Sequence, residues 1–345
     1  MRALVYSAAW ELSLQERAEP AAPARDEVLV RVRATGLCGT DLGIIGGEYA
    51  AKPGVVLGHE SSGEVVAVGP AVRDVQVGDR VVIDPTFFCG QCRLCRSGRQ
   101  NHCERKGETE TGVSADGTMA PLHKTTERFL YTLPAHVGFE EASLTEPLSC
   151  AVTGANQLRL RPSLRTVVLG GGPMGVLYAW VLSSLGLTGT LVERAPGRRE
   201  LCREVVDRRW TVAESLDEVC ARYARDAAPL DVVVDTTGRM AGDVLSRLSR
   251  GGQLLLVGLK RHEVPLDVGA IADRSLSVQG SIDSLDGSFA TALHLIASGV
   301  IPARRLVSHQ LPLTRFREGL ALVGCDVDAR RQGAPAGALK VVLQP

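Results

Sequence analysis

Leu169-Gly170-Gly171-Gly172-Pro173-Met174-Gly175 follows a short apolar run, Thr166 to Leu169, and opens a second apolar stretch, Gly175 to Leu185. Strand, glycine-rich turn and helix in that order are the context in which a G-x-G-x-x-G motif cradles a dinucleotide. Gly170 makes the tight turn, Gly172 lets backbone approach a pyrophosphate, and Gly175 lets the helix pack on the strand. Pro173 and Met174 belong to the same contact set. The next strand, Thr188 to Glu193, ends in a carboxylate 23 residues after Gly170, where it can hold both ribose hydroxyls. A carboxylate repels a 2′-phosphate, so NAD is the preferred coenzyme. Arg194, able to stack on adenine or serve a 2′-phosphate, keeps NADP as a second option, and Arg198 joins the cofactor residues.

Outward from this motif the pattern continues. Pro229 to Asp235 and Gln253 to Gly258 are further apolar strands, and strands alternating with helical segments predict a parallel sheet with crossover helices. Upstream, from Met1 to about Pro134, the text is different: short alternating runs such as Val28 to Ala34, Gly63 to Val68 and Arg80 to Ile83, broken by glycine, proline and aspartate. That predicts a strand-rich domain. From Ser284 on, a helix (Phe289 to Ser298), an extended segment (Leu306 to Leu313), a helix (Leu313 to Val323) and a final strand (Leu339 to Leu343) are expected, and periodicity alone does not say which domain they join. Glu19 to Arg25 and Gly333 to Gly337 read as surface loops. At 345 residues, two domains with a cleft between them are expected.

Five of the nine cysteines stand at spacings that suit metal binding. Cys89-Gly-Gln-Cys92-Arg-Leu-Cys95, followed by Cys103, brings four thiols into one short segment. Four thiolates close a tetrahedral zinc site and leave no room for substrate, so this zinc is structural; Arg93, Arg96, Arg99, Arg105 and Lys106 offset its net negative charge. Cys150, Cys202, Cys220 and Cys325 are scattered through apolar or helical stretches and are read as small buried hydrophobes.

A second metal site is expected from Cys38, in Gly36-Leu-Cys38-Gly-Thr40-Asp41, and His59, in Gly58-His59-Glu60-Ser-Ser-Gly63. A thiolate and an imidazole in glycine-flanked turns supply an open site once a third donor is found. Glu146, in Thr145-Glu146-Pro147-Leu148-Ser149, is the best candidate, with Glu60 beside His59 as the other glutamate nearby. Zinc with one thiolate, one carboxylate and a neutral imidazole sums to zero, whereas both glutamates would leave minus one, so only one of them is expected to bind firmly.

Composition narrows the partners. Lys+Arg and Asp+Glu are both 39, which gives no electrostatic footprint for nucleic acid or an anionic membrane. No run reaches the roughly 18 apolar residues of a membrane span, and the first residues lack signal-peptide grammar, so a cytoplasmic protein with a small-molecule partner is expected.

Together with Gly58-His59-Glu60-x-x-Gly63-x5-Gly69 and Val77-Gly78-Asp79-Arg80-Val81, these motifs resemble the zinc-dependent medium-chain dehydrogenase/reductase superfamily over essentially the whole chain. Glu146-Pro147-Leu148-Ser149 is most similar to the polyol, sugar and threonine dehydrogenase branch. The resemblance implies a GroES-like, mainly-β catalytic domain (1–149 and 285–345, with a structural-zinc lobe near 86–106) and a Rossmann doubly wound parallel-sheet domain (150–284). It implies a catalytic zinc on Cys38, His59 and either Glu60 or Glu146, with Thr40 as proton relay and Asp41 behind the ligands. Thr236-Thr237-Gly238 and Val257-Gly258-Leu259 would flank the nicotinamide, and the chain would form a homodimer or homotetramer. The implied reaction moves a hydride between a secondary alcohol of a polyol, sugar or cyclitol and NAD(P). The alternatives are a threonine-type dehydrogenase and a catalytically silent nucleotide-binding protein of the same fold. Departures at Thr153, at Met119-Ala-Pro-Leu-His123 and in the long stretch Val323 to Gly337 bear on the substrate.

Overall fold

The structure, a computed structural model, describes residues 1–223, 225–259, 263–333 and 337–345, with residue 286 described by its backbone alone. Residues 334–336, inside the expected loop Gly333 to Gly337, lie outside the described residues. The chain divides into two compact units, one of Met1–Ser149 with Ser284–Pro345 and one of Cys150–Asp283.

The second unit is a six-stranded sheet in the order Trp210–Ala213, Gly189–Val192, Thr166–Leu169, Leu230–Asp235, Leu248–Leu256, Ser277–Gly280, parallel throughout. Numbered along the chain that order is 3-2-1-4-5-6, the doubly wound arrangement whose strand order reverses between the first and fourth strands. The apolar character follows from burial on both faces: Val167, Leu169, Val233 and Leu254 share one core with Val244 and Leu248. The helix after the glycine-rich turn runs Pro173–Ser184, opening at the proline rather than at Gly175, because proline suits the first helical turn. The fifth strand begins at Leu248, five residues before the expected Gln253. The Gly251-Gly252 pair is absorbed as an irregularity, with Leu230 opposite Leu248 but Val232 opposite Gln253.

The first unit is built on a seven-stranded sheet with Glu27–Gly36 at its centre, paired antiparallel to Glu60–Val68, Leu122–Thr126 and the tail strand Lys340–Gln344. The tail therefore joins the N-terminal unit, and Val341, Leu343, Phe316 and Leu320 share a core with Leu4, Leu37, Ile44 and Leu57. The expected helix from Leu313 resolves into a 3-10 turn, Leu313–Arg315, and a helix, Phe316–Leu322. Helix Gly39–Ile45 has only seven residues, too few to persist alone. It is held by the complete burial of Ile44 and Ile45, each contributing about 2 kcal/mol, and by Gln332 Nε2, which donates to the Leu42 carbonyl at 2.6 Å. Among the described residues no helix is long and apolar enough to cross a membrane.

His123, on strand Leu122–Thr126, is buried, and burial pulls its imidazole down to about 4 against the raising influence of Gly117 and Asp116. The unfolded imidazole titrates near 6.5. On acidification the unfolded chain takes up the proton first, so this contribution to stability is intact above about 6.5 and drains away until the pH passes about 4. Urea midpoints should show wild type losing about 2 kcal/mol more than His123→Gln between pH 7.5 and 5; parallel pH profiles would contradict the assignment.

Candidate active site and metal centres

Strand Glu27–Gly36 delivers the chain into a turn at Leu37-Cys38, and Cys38 caps helix Gly39–Ile45. The cap is reciprocal: Thr40 N–H donates to Cys38 Sγ at 3.5 Å, and Cys38 N–H donates to Asp41 Oδ2 at 2.9 Å. Thr40 Oγ1 stands 3.7 Å from the same sulfur. His59 stands immediately before the adjacent strand and Glu60 begins it, paired in register with Gly36. One donor atom each from Cys38, His59 and Glu60 lies within 4.8 Å of the others, with His59 and Glu60 buried. Glu146, in the first turn of helix Thr145–Ala155 and 8% exposed, is outside that trio but close enough for its charge to act on His59.

The electrostatics of the trio ask for a cation. Burial alone would lower the His59 pKa, but the Cys38 sulfur, Asp41 and Glu146 overcome it and hold the imidazole well above its ordinary range. Asp41 is fully buried; burial raises its carboxyl, and its Oδ1, 3.8 Å from His59 Nδ1, has no hydrogen-bond partner. A proton on His59 thus compensates charge that a metal ion would compensate better, and the soft sulfur, imidazole and carboxylate are a donor set that fits zinc with a coordination position left open.

Sequence reasoning missed one member of this cluster. Lys340 is 2% exposed and forms an ion pair with Glu60. Burial would lower its pKa, yet Glu60, Cys38 and Glu146 raise it, so the ammonium stays charged. The available signal was a lysine, one of five in the chain, inside an otherwise apolar strand.

Cys89, Cys92, Cys95 and Cys103 also place their sulfurs within 4.8 Å of one another, and all four are free thiols. Cys89 and Cys95 Sγ are 4.0 Å apart, near the edge of about 3.8 Å that four zinc–sulfur bonds in a tetrahedron would give. Backbone N–H groups aim at the sulfurs: Gln91 and Cys92 at Cys89 Sγ (3.4 and 3.3 Å), Cys95 at Cys92 Sγ (3.4 Å) and Cys89 at Cys103 Sγ (3.3 Å). Such donors, from Glu104 and Cys95, lower Cys92 to about 6, while burial pushes Cys95 up to about 12. Four sulfurs sharing N–H donors around one point fit a closed zinc site. Of the remaining cysteines, Cys202 and Cys325 are buried as expected and Cys150 and Cys220 half-buried.

In the second unit the glycine turn and the end of strand Leu230–Asp235 meet where the strand order reverses. Thr236 Oγ1 donates to the Leu169 carbonyl at 2.7 Å. Glu193 is buried; its Oε2 accepts from Gly171 N–H at 2.9 Å and its Oε1 from Ala195 N–H at 2.8 Å, with Arg198 at 3.4 Å. Arg194 is exposed beside it. Asp235, also missed at the sequence level, is fully buried and organises the far wall: Oδ1 accepts from Thr237 N–H, Thr237 Oγ1 and Gly238 N–H, and Oδ2 from Met240 N–H. Val257 and Gly258 N–H groups donate to the Asp235 carbonyl at 2.9 and 3.2 Å, which sets that turn beside Gly238. At the other wall Gly172 faces open space, and a Cβ at Gly175 would overlap the Gly170 carbonyl oxygen. Backbone amides around open space at a helix start fit a pyrophosphate.

A GroES-like sheet carrying an open metal trio, with a doubly wound sheet in the same chain, is the build of the alcohol dehydrogenase class. The alcohol dehydrogenase GroES-like domain model matches residues 24–135. The chain is 32% identical over 310 residues to the sorbitol dehydrogenase of Bacillus subtilis (strain 168), covering 86% of each. Among solved structures, a cobalt- and zinc-bound thermostable alcohol dehydrogenase from Pyrobaculum aerophilum superposes with a TM-score of 0.85 at 28% identity, covering 100% of this chain and 99% of that one. A Sinorhizobium meliloti 1021 protein solved bound to NADP gives 0.86 at 27% identity over 100% and 99%. The chain belongs to the zinc-dependent medium-chain dehydrogenase/reductase superfamily, in its polyol dehydrogenase branch, and is an alcohol oxidoreductase.

The close approach at Gly175 makes a direct prediction. Gly175→Ala forces helix Pro173–Ser184 off its strand, and should lower the urea-unfolding free energy by about 3 kcal/mol; an unchanged midpoint would show that the turn yields freely.

Proposed function

We propose that this chain is a zinc-dependent dehydrogenase that oxidises a secondary alcohol of a polyol, sugar or cyclitol to the ketone, with NAD preferred and NADP accepted as the second coenzyme. The observation that carries the reading is the convergence of Cys38, His59 and Glu60 as three donors, in a chain that also gathers four thiols elsewhere. Three donors leave a place for substrate and four do not. Zinc held by the trio supplies Lewis acidity at the substrate oxygen, and the nicotinamide supplies the hydride acceptor.

The chain's own residues do the rest. Thr40 Oγ1, beside the Cys38 sulfur, takes the proton released from the substrate hydroxyl and hands it outward. Asp41, held by the Cys38 N–H, orients His59 from behind. Glu60 is the third donor by proximity, which leaves Glu146 beside the trio to accept a hydrogen bond from the substrate or from water. Gly170, Gly172, Pro173, Met174 and Gly175 receive the pyrophosphate, and Glu193 the ribose hydroxyls. Thr236, Val257 and Gly258 line the nicotinamide, while Arg194 and Arg198 supply the charge that would tolerate a 2′-phosphate.

Metal analysis should return two zinc ions per chain, and Cys38→Ser should keep one zinc while losing roughly 1,000-fold in turnover. Steady-state rates with NAD and NADP across sorbitol, xylitol, inositol, threonine and ethanol should be highest for a polyol. A chain that turned over only ethanol, or retained full activity without Cys38, would overturn this function; a preference for threonine would move it to the amino acid alcohols.

A further inference from the structure

We propose that Lys340 is a positioning residue for the catalytic metal. It occupies one oxygen of Glu60, so that Glu60 meets the cation through the other oxygen alone, and its ammonium balances part of the negative charge that Cys38, Glu60 and Glu146 bring to one site. The inference rests on the zinc reading above and adds to it a residue outside the ligand set.

The geometry is specific. Glu60 begins strand Glu60–Val68 and lies opposite Gly36 in the central strand. Lys340 begins the tail strand Lys340–Gln344, which reaches the other edge of the same central strand and sets Val342 opposite Gly36. The two side chains meet over Gly36, and they meet in the dry interior, at 2% and 1% exposure. Gly36 has no left-handed backbone angle to explain its glycine. Its lack of a side chain is a matter of space: a Cβ there would overlap Glu60 Oε2 and come within 2.8 Å of Lys340 Cε. A strand position cleared to the last methyl for one ion pair indicates that the pair's placement matters, because a buried ion pair contributes little net stability against well-packed apolar side chains.

Charge explains what the placement achieves. A divalent cation with the Cys38 thiolate, the Glu60 carboxylate and neutral His59 sums to zero, and Glu146 takes the group to minus one. The Lys340 ammonium, whose charge acts on Cys38 and Glu146 as well as on Glu60, returns these groups to zero, with Asp41, whose buried carboxyl is raised, standing behind His59 outside the count. Counting only the ligands, as the sequence allows, makes the two glutamates rivals. Counting Lys340 removes the conflict. Without the ammonium both Glu60 oxygens are free to turn to the metal, and the site becomes more negative, so it should hold the cation more tightly and in an altered coordination.

The test uses the full-length chain with zinc on the four thiols and cobalt at the three-donor site, comparing wild type with Lys340→Met. The expected result is that Lys340→Met keeps both metals, releases cobalt to a chelator at least roughly tenfold more slowly, and shows displaced visible absorption bands. Identical bands and release rates would overturn the inference, and so would faster release, the signature of a merely damaged fold. Gly36→Ala keeps both charges while separating the pair, and provides the second readout should Lys340→Met not fold. It should displace the bands with a smaller effect on release, and unchanged bands would again overturn the inference. Wild type that binds a single metal ion would instead defeat the zinc reading itself, which keeps the two failures apart.

Discussion

Negative charge buried without a counter-ion is the constraint around which this molecule is arranged. The N-terminal unit draws Cys38, Asp41, Glu60 and Glu146 toward one point in its interior, where each carboxylate or thiolate would cost several kcal/mol if left alone. Three kinds of positive charge answer it: a proton on His59, the Lys340 ammonium and, in the functioning enzyme, a metal ion. Lys340 is the permanent one. It arrives from the last strand of the chain, so the site stays incomplete until residues some 300 positions apart have been brought into one sheet. The tail's return to the N-terminal unit after the dinucleotide-type unit is thus a chemical necessity as well as a packing one.

The same logic of enclosure governs the second unit, although its anions are held mainly by backbone N–H groups, with Arg198 also paired to Glu193. Glu193 and Asp235 are both buried at the carboxyl ends of parallel strands, and both are satisfied almost wholly by backbone amides from the turns that follow them. Each carboxylate acts as a clamp, fixing the turn that donates to it. Fixing those turns beforehand spares a ligand the entropy of ordering them.

Much of this was legible in the chain itself. The glycine fingerprint, placed between an apolar strand and an apolar helix, announced the parallel sheet, and the C-x-x-C-x-x-C spacing announced the lobe whose sulfurs do cluster. Cys38 and His59, each weak alone, were visible as a thiol and an imidazole that together suit an open metal site. What escaped were residues whose meaning is set by partners distant in sequence. Lys340 in Leu339-Lys-Val-Val looks like a lysine on a strand edge until Glu60 meets it across Gly36. Asp235 reads as the polar end of a strand until its four donors are counted. The short strands Trp210–Ala213 and Ser277–Gly280 were missed because both lie at sheet edges, where exposure weakens the apolar pattern.

Gly36 carries a consequence for how such a site can change over generations. Because the ion pair fills the volume that any side chain at that position would need, residues 36, 60 and 340 cannot drift independently. A methyl gained at the first displaces the pair, and a loss of either charge strands the other in an apolar surrounding. A side chain larger than hydrogen at the first position therefore calls for a smaller or repositioned pair at the other two, which couples three positions on three strands.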